Sequence, residues 1–251
     1  MILSNIDIVL LSAGVGRRLG RLGKVIPKSL VEINGETLIS RLIKILKKNG
    51  AKSISILVGY KSDLLKNELK KFKQIKFKFI KIKGFKKYGH AFTWYSYKKF
   101  WQKNKKKILL MHTDIIFDEK ILTNILKSKK ENIIGMKDKM GHKMGQNSFV
   151  IRTNSKNEIK EINFLKFLNN FSGEIIGINK ISSQLMGKIF EFMDFEFKNS
   201  RNKYLSWEQI INKFIIKQKP KIYSLTNQKY NWININKISD LKKANRAFNT
   251  L

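Results

Sequence analysis

Two hydrophobic rhythms alternate along the first half of the chain. Asp7-Ile8-Val9-Leu10-Leu11 is an apolar run of the length of a buried strand. Leu38, Ile39, Leu42, Ile43 and Leu46 recur at helical spacing, with Thr37 as a cap and Gly50 as a stop. Residues 53–58 read as a second strand ending at Gly59-Tyr60, and 76–82 alternates Lys with Phe or Ile as a half-exposed strand does. A helix over 91–101, a buried strand over 108–111 and a helix over 119–129 follow. The second half is richer in strands, at 149–152, 158–164 and 174–181. Helices are expected over 184–193 and 208–216, extended segments over 221–225 and 232–236, and a last helix capped by Ser239.

The strand–helix order predicts an α/β protein with helices on both faces of a mostly parallel sheet. The expected fold is a Rossmann-like, doubly wound mixed sheet. It has a glycine-rich loop after the first strand and an antiparallel elaboration in the C-terminal half. With two prolines, no Ser/Gly-rich linker and no composition break, residues 1–251 are expected to form a single domain.

Composition narrows the chemistry. The hydrophobic share of 42% is globular and excludes general disorder. The absence of cysteine excludes disulfides, thiolate metal sites and a Cys nucleophile. His90, His112 and His142 read as too few and too scattered for a histidine zinc site. No apolar run reaches the roughly 18 residues that span a bilayer, and the N-terminus lacks a secretory pattern. A soluble cytoplasmic protein without membrane insertion is expected. The 52 Lys plus Arg against 18 Asp plus Glu give a formal charge of +34. These cations are nearly all lysine, in a chain rich in Ile, Asn and Phe, which is what an AT-rich genome encodes. Arginine, the residue of bidentate phosphate and base recognition, is scarce. The charge therefore reads as solvated surface that favours anionic substrates, with no specific nucleic-acid partner.

The informative segment is Leu11-Ser12-Ala13-Gly14-Val15-Gly16-Arg17-Arg18-Leu19-Gly20, followed by Pro27-Lys28. Small residues after a strand let a ligand approach the backbone, and successive free N–H groups form a nest for anionic oxygens. Arg18 and Lys28 add positive charge. The segment lacks the Walker spacing, and the third glycine of the dinucleotide fingerprint is displaced to Gly20. Gly-Val-Gly alone is a tight turn; with two strong cations it points to phosphate. Together with Ser29-Leu30-Val31-Glu32-Ile33-Asn34-Gly35, the segment resembles the signature of the nucleotidyltransferases that activate sugar phosphates and small phosphorylated alcohols. Ser12 and Arg17 depart from that pattern, while the glycines, Arg18 and Lys28 keep to it. The resemblance implies that the loop holds an NTP triphosphate and that Lys28 and Arg18 are catalytic.

Met111-His112-Thr113-Asp114 closes a buried strand, so Asp114 should face the same crevice as the loop. An Asp in that position is by itself most often a turn or cap residue. The resemblance makes it the Mg²⁺ ligand, with Thr113 in place of the family's Gly. Residues 232–241 resemble the family's second metal segment, with Asn236 as the ligand and Asn234 in place of a Glu. Asp240 reads as part of the last helix's first turn.

The resemblance also places Gly59, Tyr60, Gly89, His90 and Ala91 around the base and sugar. The C-terminal half looks like the cytidylyltransferases for phosphocholine and aminoalkyl phosphonates. Expected partners are therefore CTP and a small phosphate or phosphonate acceptor, with Mg²⁺ as cofactor and a homodimer left open. An aminated acceptor would be met by a carboxylate and aromatic faces. Glu174, Tyr204 and Trp232 are the leading candidates, and Trp94, Trp207 and Tyr230 are further ones. The alternatives are a sugar-1-phosphate nucleotidyltransferase using another NTP, a basic nucleic-acid-binding protein and a non-catalytic nucleotide sensor.

Overall fold

The structure is a computed structural model that describes residues 3–139, 144, 148–226 and 229–248. The chain opens with β1 (Ile6–Ser12), a short α1 (Arg21–Val25) and a hairpin of β2 (Glu32–Ile33) and β3 (Glu36–Thr37). There follow α2 (Leu38–Lys48), β4 (Ser53–Val58), α3 (Ser62–Leu69), β5 (Lys76–Lys81), α4 (His90–Tyr95) and α5 (Lys98–Trp101). Next come β6 (Lys107–His112), β7 (Ile115–Phe117), α6 (Glu119–Lys127), β8 (Ile133–Asp138), β9 (Phe149–Thr153), β10 (Ile159–Phe164) and β11 (Gly173–Ile181). The last elements are α7 (Ser183–Glu196), α8 (Trp207–Gln218), β12 (Tyr223–Thr226), β13 (Trp232–Asn234) and α9 (Ile238–Ala247).

The main sheet runs β10-β9-β11-β6-β1-β4-β5, with β8 paired to β11 and β12. The pairs β6/β1, β1/β4 and β4/β5 are parallel. Strand β11 runs antiparallel to β6, β8 and β9, so the C-terminal half supplies the antiparallel extension. This is the expected mixed α/β sheet. Strand β1 shows why its register is fixed. Ile8 and Leu10 are buried on one face with α2, α3 and α6, while Val9 is buried on the other with Trp94, Phe190 and Trp207. Burying each such side chain contributes roughly 1.5–3 kcal/mol. A one-residue slip would exchange the two faces.

Helix α2 forms as its periodicity dictates, with Thr37 Oγ1 accepting from the Ser40 N–H and Gly50 at a positive φ of 93° just past its end. Two local expectations are corrected. The helix expected over 91–101 is two short helices, and Tyr97 at the break is buried with its hydroxyl donating to Asp7 Oδ2 at 2.6 Å. Ser239 does not cap α9. The N-cap is Lys237, and Asp240 Oδ2 accepts from the N–H groups of Asn236 and Lys237, both at 2.9 Å. The strand β8, the helix α3 and the strand β7 were not signalled by the pattern, whereas β13 falls within the extended segment expected over 232–236. No helix among the described residues is long and apolar enough to cross a membrane.

Candidate active site

The carboxyl ends of β1 and β6 lie side by side, with Leu11 opposite His112. The Thr113 hydroxyl donates to the Leu11 carbonyl at 2.8 Å and ties the two ends together. Asp114 follows, and the Ile235 N–H donates to its carbonyl at 2.8 Å. Antiparallel pairing of β7 with β13 thus carries Asn234 and Asn236 to the end of β6. On the other side, Pro27 leads into a 3₁₀ turn over Lys28–Leu30. That turn is pinned to β1 by the Ser12 hydroxyl, which donates to Ser29 Oγ at 3.0 Å.

These supports bring four predicted residues into one cluster. Lys28 Nζ donates to Asp114 Oδ2 at 2.5 Å and to Asn236 Oδ1 at 2.7 Å, and Arg18 donates to the same Asn236 oxygen at 2.7 Å. Burial pushes the Asp114 carboxyl up. The Lys28 ammonium, His112 and the Lys28 hydrogen bond outweigh it, and the pKa falls to about 2. Asp114 therefore stays ionised at any physiological pH. Its Oδ1 is buried without a hydrogen-bond partner, as is Asn234 Oδ1. A carboxylate, an amide oxygen and an unpartnered buried oxygen suit a hard cation such as Mg²⁺, which takes few protein ligands and keeps phosphate and water oxygens as the rest. The residues present fit that ion.

The glycine loop adjoins this cluster, and a Cβ on Gly16 would lie 3.5 Å from the Lys28 Cβ. Among the described residues the N–H groups of Gly14, Val15 and Gly16 have no backbone partner, and the space beside Gly14 is open. Gly16 takes the left-handed conformation (φ 67°), which turns the loop without a Cβ penalty. Helix α1, unforeseen from the sequence, backs the loop so closely that a Cβ on Gly23 would lie 2.3 Å from the Gly16 carbonyl oxygen. Gly23→Ala should therefore displace the loop. Overpacking of this kind costs about 1–3 kcal/mol, so nucleotide affinity should fall roughly 10- to 100-fold. Isothermal titration with nucleotide checks this, and an unchanged affinity would show that the loop does not hold phosphate.

The other predicted residues divide. Gly59 approaches the loop so closely that a Cβ would meet the Ala13 carbonyl at 2.8 Å. The Tyr60 N–H donates to that carbonyl and its hydroxyl to the Lys24 carbonyl, which straps α1 over the loop. Leu11 and Ala13 pack into the core, so their side chains are structural. Ala91 is fully buried and Trp232 is a core residue whose indole N–H donates to the Ile176 carbonyl, so neither side chain faces a ligand. Trp94 and Trp207 are likewise core, stacked edge to face on each other, and Tyr230 packs partly buried against the core. Tyr204 is exposed beside Tyr88. Glu174 lies half-buried on β11, opposite Lys137 of β8 and Val150 of β9.

Sequence reasoning missed a second group. Gly89 donates to the Lys203 carbonyl at 2.8 Å, docking the start of α4 on the segment before α8. His90 thereby meets Glu208, and its ring stands edge to face on His112 at 5.8 Å. Two of the three histidines, read as scattered, are neighbours in space; His142 lies outside the described residues. No spacing rule could have joined positions 90, 112 and 208.

Residues 7–161 match the Nucleotidyl transferase family, and the chain belongs to that family; it is a nucleotidyltransferase. The matched region holds the glycine loop, Lys28 and Asp114, while Glu174, Glu208 and Asn236 lie beyond it. Over 260 aligned positions the chain is 26% identical to the CTP:phosphoglutamine cytidylyltransferase of Campylobacter jejuni, covering 93% of this chain and 97% of the relative. The fold is similar to that of the CTP:phosphocholine cytidylyltransferase from Streptococcus pneumoniae (TM-score 0.81, 19% identity, 97% of this chain and 99% of that one). It is similar also to that of the inositol-1-phosphate CTP transferase from T. maritima (TM-score 0.80, 16% identity, 98% and 96%).

Proposed function

We propose that the protein is a Mg²⁺-dependent cytidylyltransferase. It transfers CMP from CTP to a small phosphorylated or phosphonate acceptor and releases pyrophosphate. The observation that carries this reading is the convergence of Lys28, Arg18, Asp114 and Asn236 beside a loop whose N–H groups have no backbone partner among the described residues. The full-length similarity to a CTP-using relative favours cytidine as the base.

An oxygen of the acceptor's phosphate or phosphonate attacks the α-phosphorus of CTP, and pyrophosphate leaves in line. No protein nucleophile is required, so the chain's task is positioning and neutralisation of charge. The N–H groups of Gly14, Val15 and Gly16 hold the triphosphate tail. Lys28 and Arg18 place two positive charges beside the reacting centre, where charge accumulates as the bond breaks. Asp114 and Asn236 would hold Mg²⁺, which when bound supplies Lewis-acid neutralisation of the phosphate oxygens. Asn236 contributes no charge of its own, so nucleotide phosphates must complete the site.

A pyrophosphate-release screen tests the reading. The four NTPs are paired with phosphoglutamine, phosphocholine, aminoethyl- and hydroxyethyl-phosphonate and several sugar phosphates, with Mg²⁺. CTP is expected to give turnover with one of the non-sugar acceptors. Turnover confined to another NTP with a sugar phosphate would replace the assignment by a sugar-1-phosphate nucleotidyltransferase.

A further inference from the structure

Glu208 is 5% exposed, and its Oε2 has no hydrogen-bond partner. The chain's other buried glutamate in this region shows how unusual that is. Glu196, 3% exposed, is answered by Lys213 at 2.9 Å, Lys217 at 2.7 Å and the Asn202 amide at 3.0 Å. In a protein with 52 basic residues, the ion-pair partner of Glu208 among the described residues is a histidine, His90, whose Nε2 lies 3.9 Å from Oε2. A buried carboxylate is normally paired with a cation or bound to a metal. His112 adds a second orphan, since its Nε2 is also buried without a partner.

We propose that His90, His112 and Glu208 bind a divalent transition-metal ion of the Zn²⁺, Mn²⁺ or Co²⁺ class, beside the Asp114 centre and chemically distinct from it. One donor atom from each of the three lies within 4.8 Å of the other two. Metal–ligand bonds of about 2.0–2.2 Å place tetrahedral donors about 3.4 Å apart, so side-chain rotation must close the set by up to about 1.4 Å. Two imidazole nitrogens and one carboxylate oxygen select borderline metals, whereas Mg²⁺ prefers oxygen alone. The three residues are held from behind. A Cβ on Gly89 would fall 2.1 Å from the Leu205 carbonyl, so glycine alone lets α4 dock there, and Gly177 closes against His112. The exposed edge of His90 leaves an entry side and room for an outer ligand.

The test is Co²⁺ binding to the full-length, tag-free protein in excess Mg²⁺ without nucleotide, read by equilibrium dialysis and by visible d–d absorption. One Co²⁺ per chain is expected, displaced by Zn²⁺. His90→Ala and Glu208→Gln should each weaken it roughly tenfold or more and bleach the absorption, with the circular dichroism spectrum unchanged. Asp114→Asn should retain it. The proposal fails if no stoichiometric Co²⁺ is taken up, or if uptake survives both His90→Ala and Glu208→Gln. It also fails if Asp114→Asn alone abolishes uptake, which would place the ion at the Mg²⁺ position.

Discussion

Lys28→Ala is expected to lower kcat/KM for CTP by about 10³-fold or more, with the fold intact. Removing one preorganised donor from a developing oxyanion typically costs about 10²–10³-fold. Lys28 contributes a full charge, and its Nζ touches both Asp114 and Asn236, so the loss also frees two oxygens to adopt other partners. Its side chain is 15% exposed and that of Asp114 24%. At that depth the pair is worth less than a fully buried one, whose rupture costs about 3–5 kcal/mol, so the variant should still fold. Steady-state kinetics beside a thermal melt separate the two effects. Normal turnover in a folded Lys28→Ala protein would remove this residue from the reaction.

Asp114→Asn is the second large effect. The substitution keeps the shape and removes the negative charge, leaving Lys28 and Arg18 with amide oxygens alone on the protein side. Activity in Mg²⁺ should fall by about 10²–10³-fold, and raising Mg²⁺ should recover part of it. The pH behaviour follows from the lowered pKa. A carboxyl held at about 2 contributes its full stabilisation above the unfolded value near 3.8 and loses it as the pH falls toward 2. The wild-type rate profile should accordingly show no acid limb from Asp114 above about pH 4. An acid limb near neutrality that vanished in Asp114→Asn would overturn the electrostatic account.

How much of this was readable in the residues depends on how local each signal is. Strand β1, the glycine loop and helix α2 are written in consecutive positions, with an apolar run, a cap at Thr37 and glycines where the backbone turns left-handed. The meeting of Lys28 with Asp114 was legible through the rule that ligands gather beyond the carboxyl ends of parallel strands. Other features are long-range. The pairing of β7 with β13 joins three residues on each side from distant parts of the chain, so nothing local announced it, although β13 itself lies in the extended segment expected over 232–236. Helix α3 starts after Lys61 in the left-handed conformation, with no capping side chain to announce it. Trp232 looked like a binding aromatic because aromatics favour both cores and ligand faces, and here the core took it. The histidine–glutamate group depends on Gly89 docking against the segment before α8.

The central claim is that the turn after β1 and the acidic end of β6 hold the two ends of one triphosphate. A crystal structure with Mg²⁺ and a non-hydrolysable CTP analogue tests it most directly. The account predicts the phosphates against the N–H groups of Gly14 to Gly16 with Lys28 in contact, and the metal on Asp114. A nucleotide bound elsewhere, with Lys28 still closed on Asp114 and the loop empty, would contradict it.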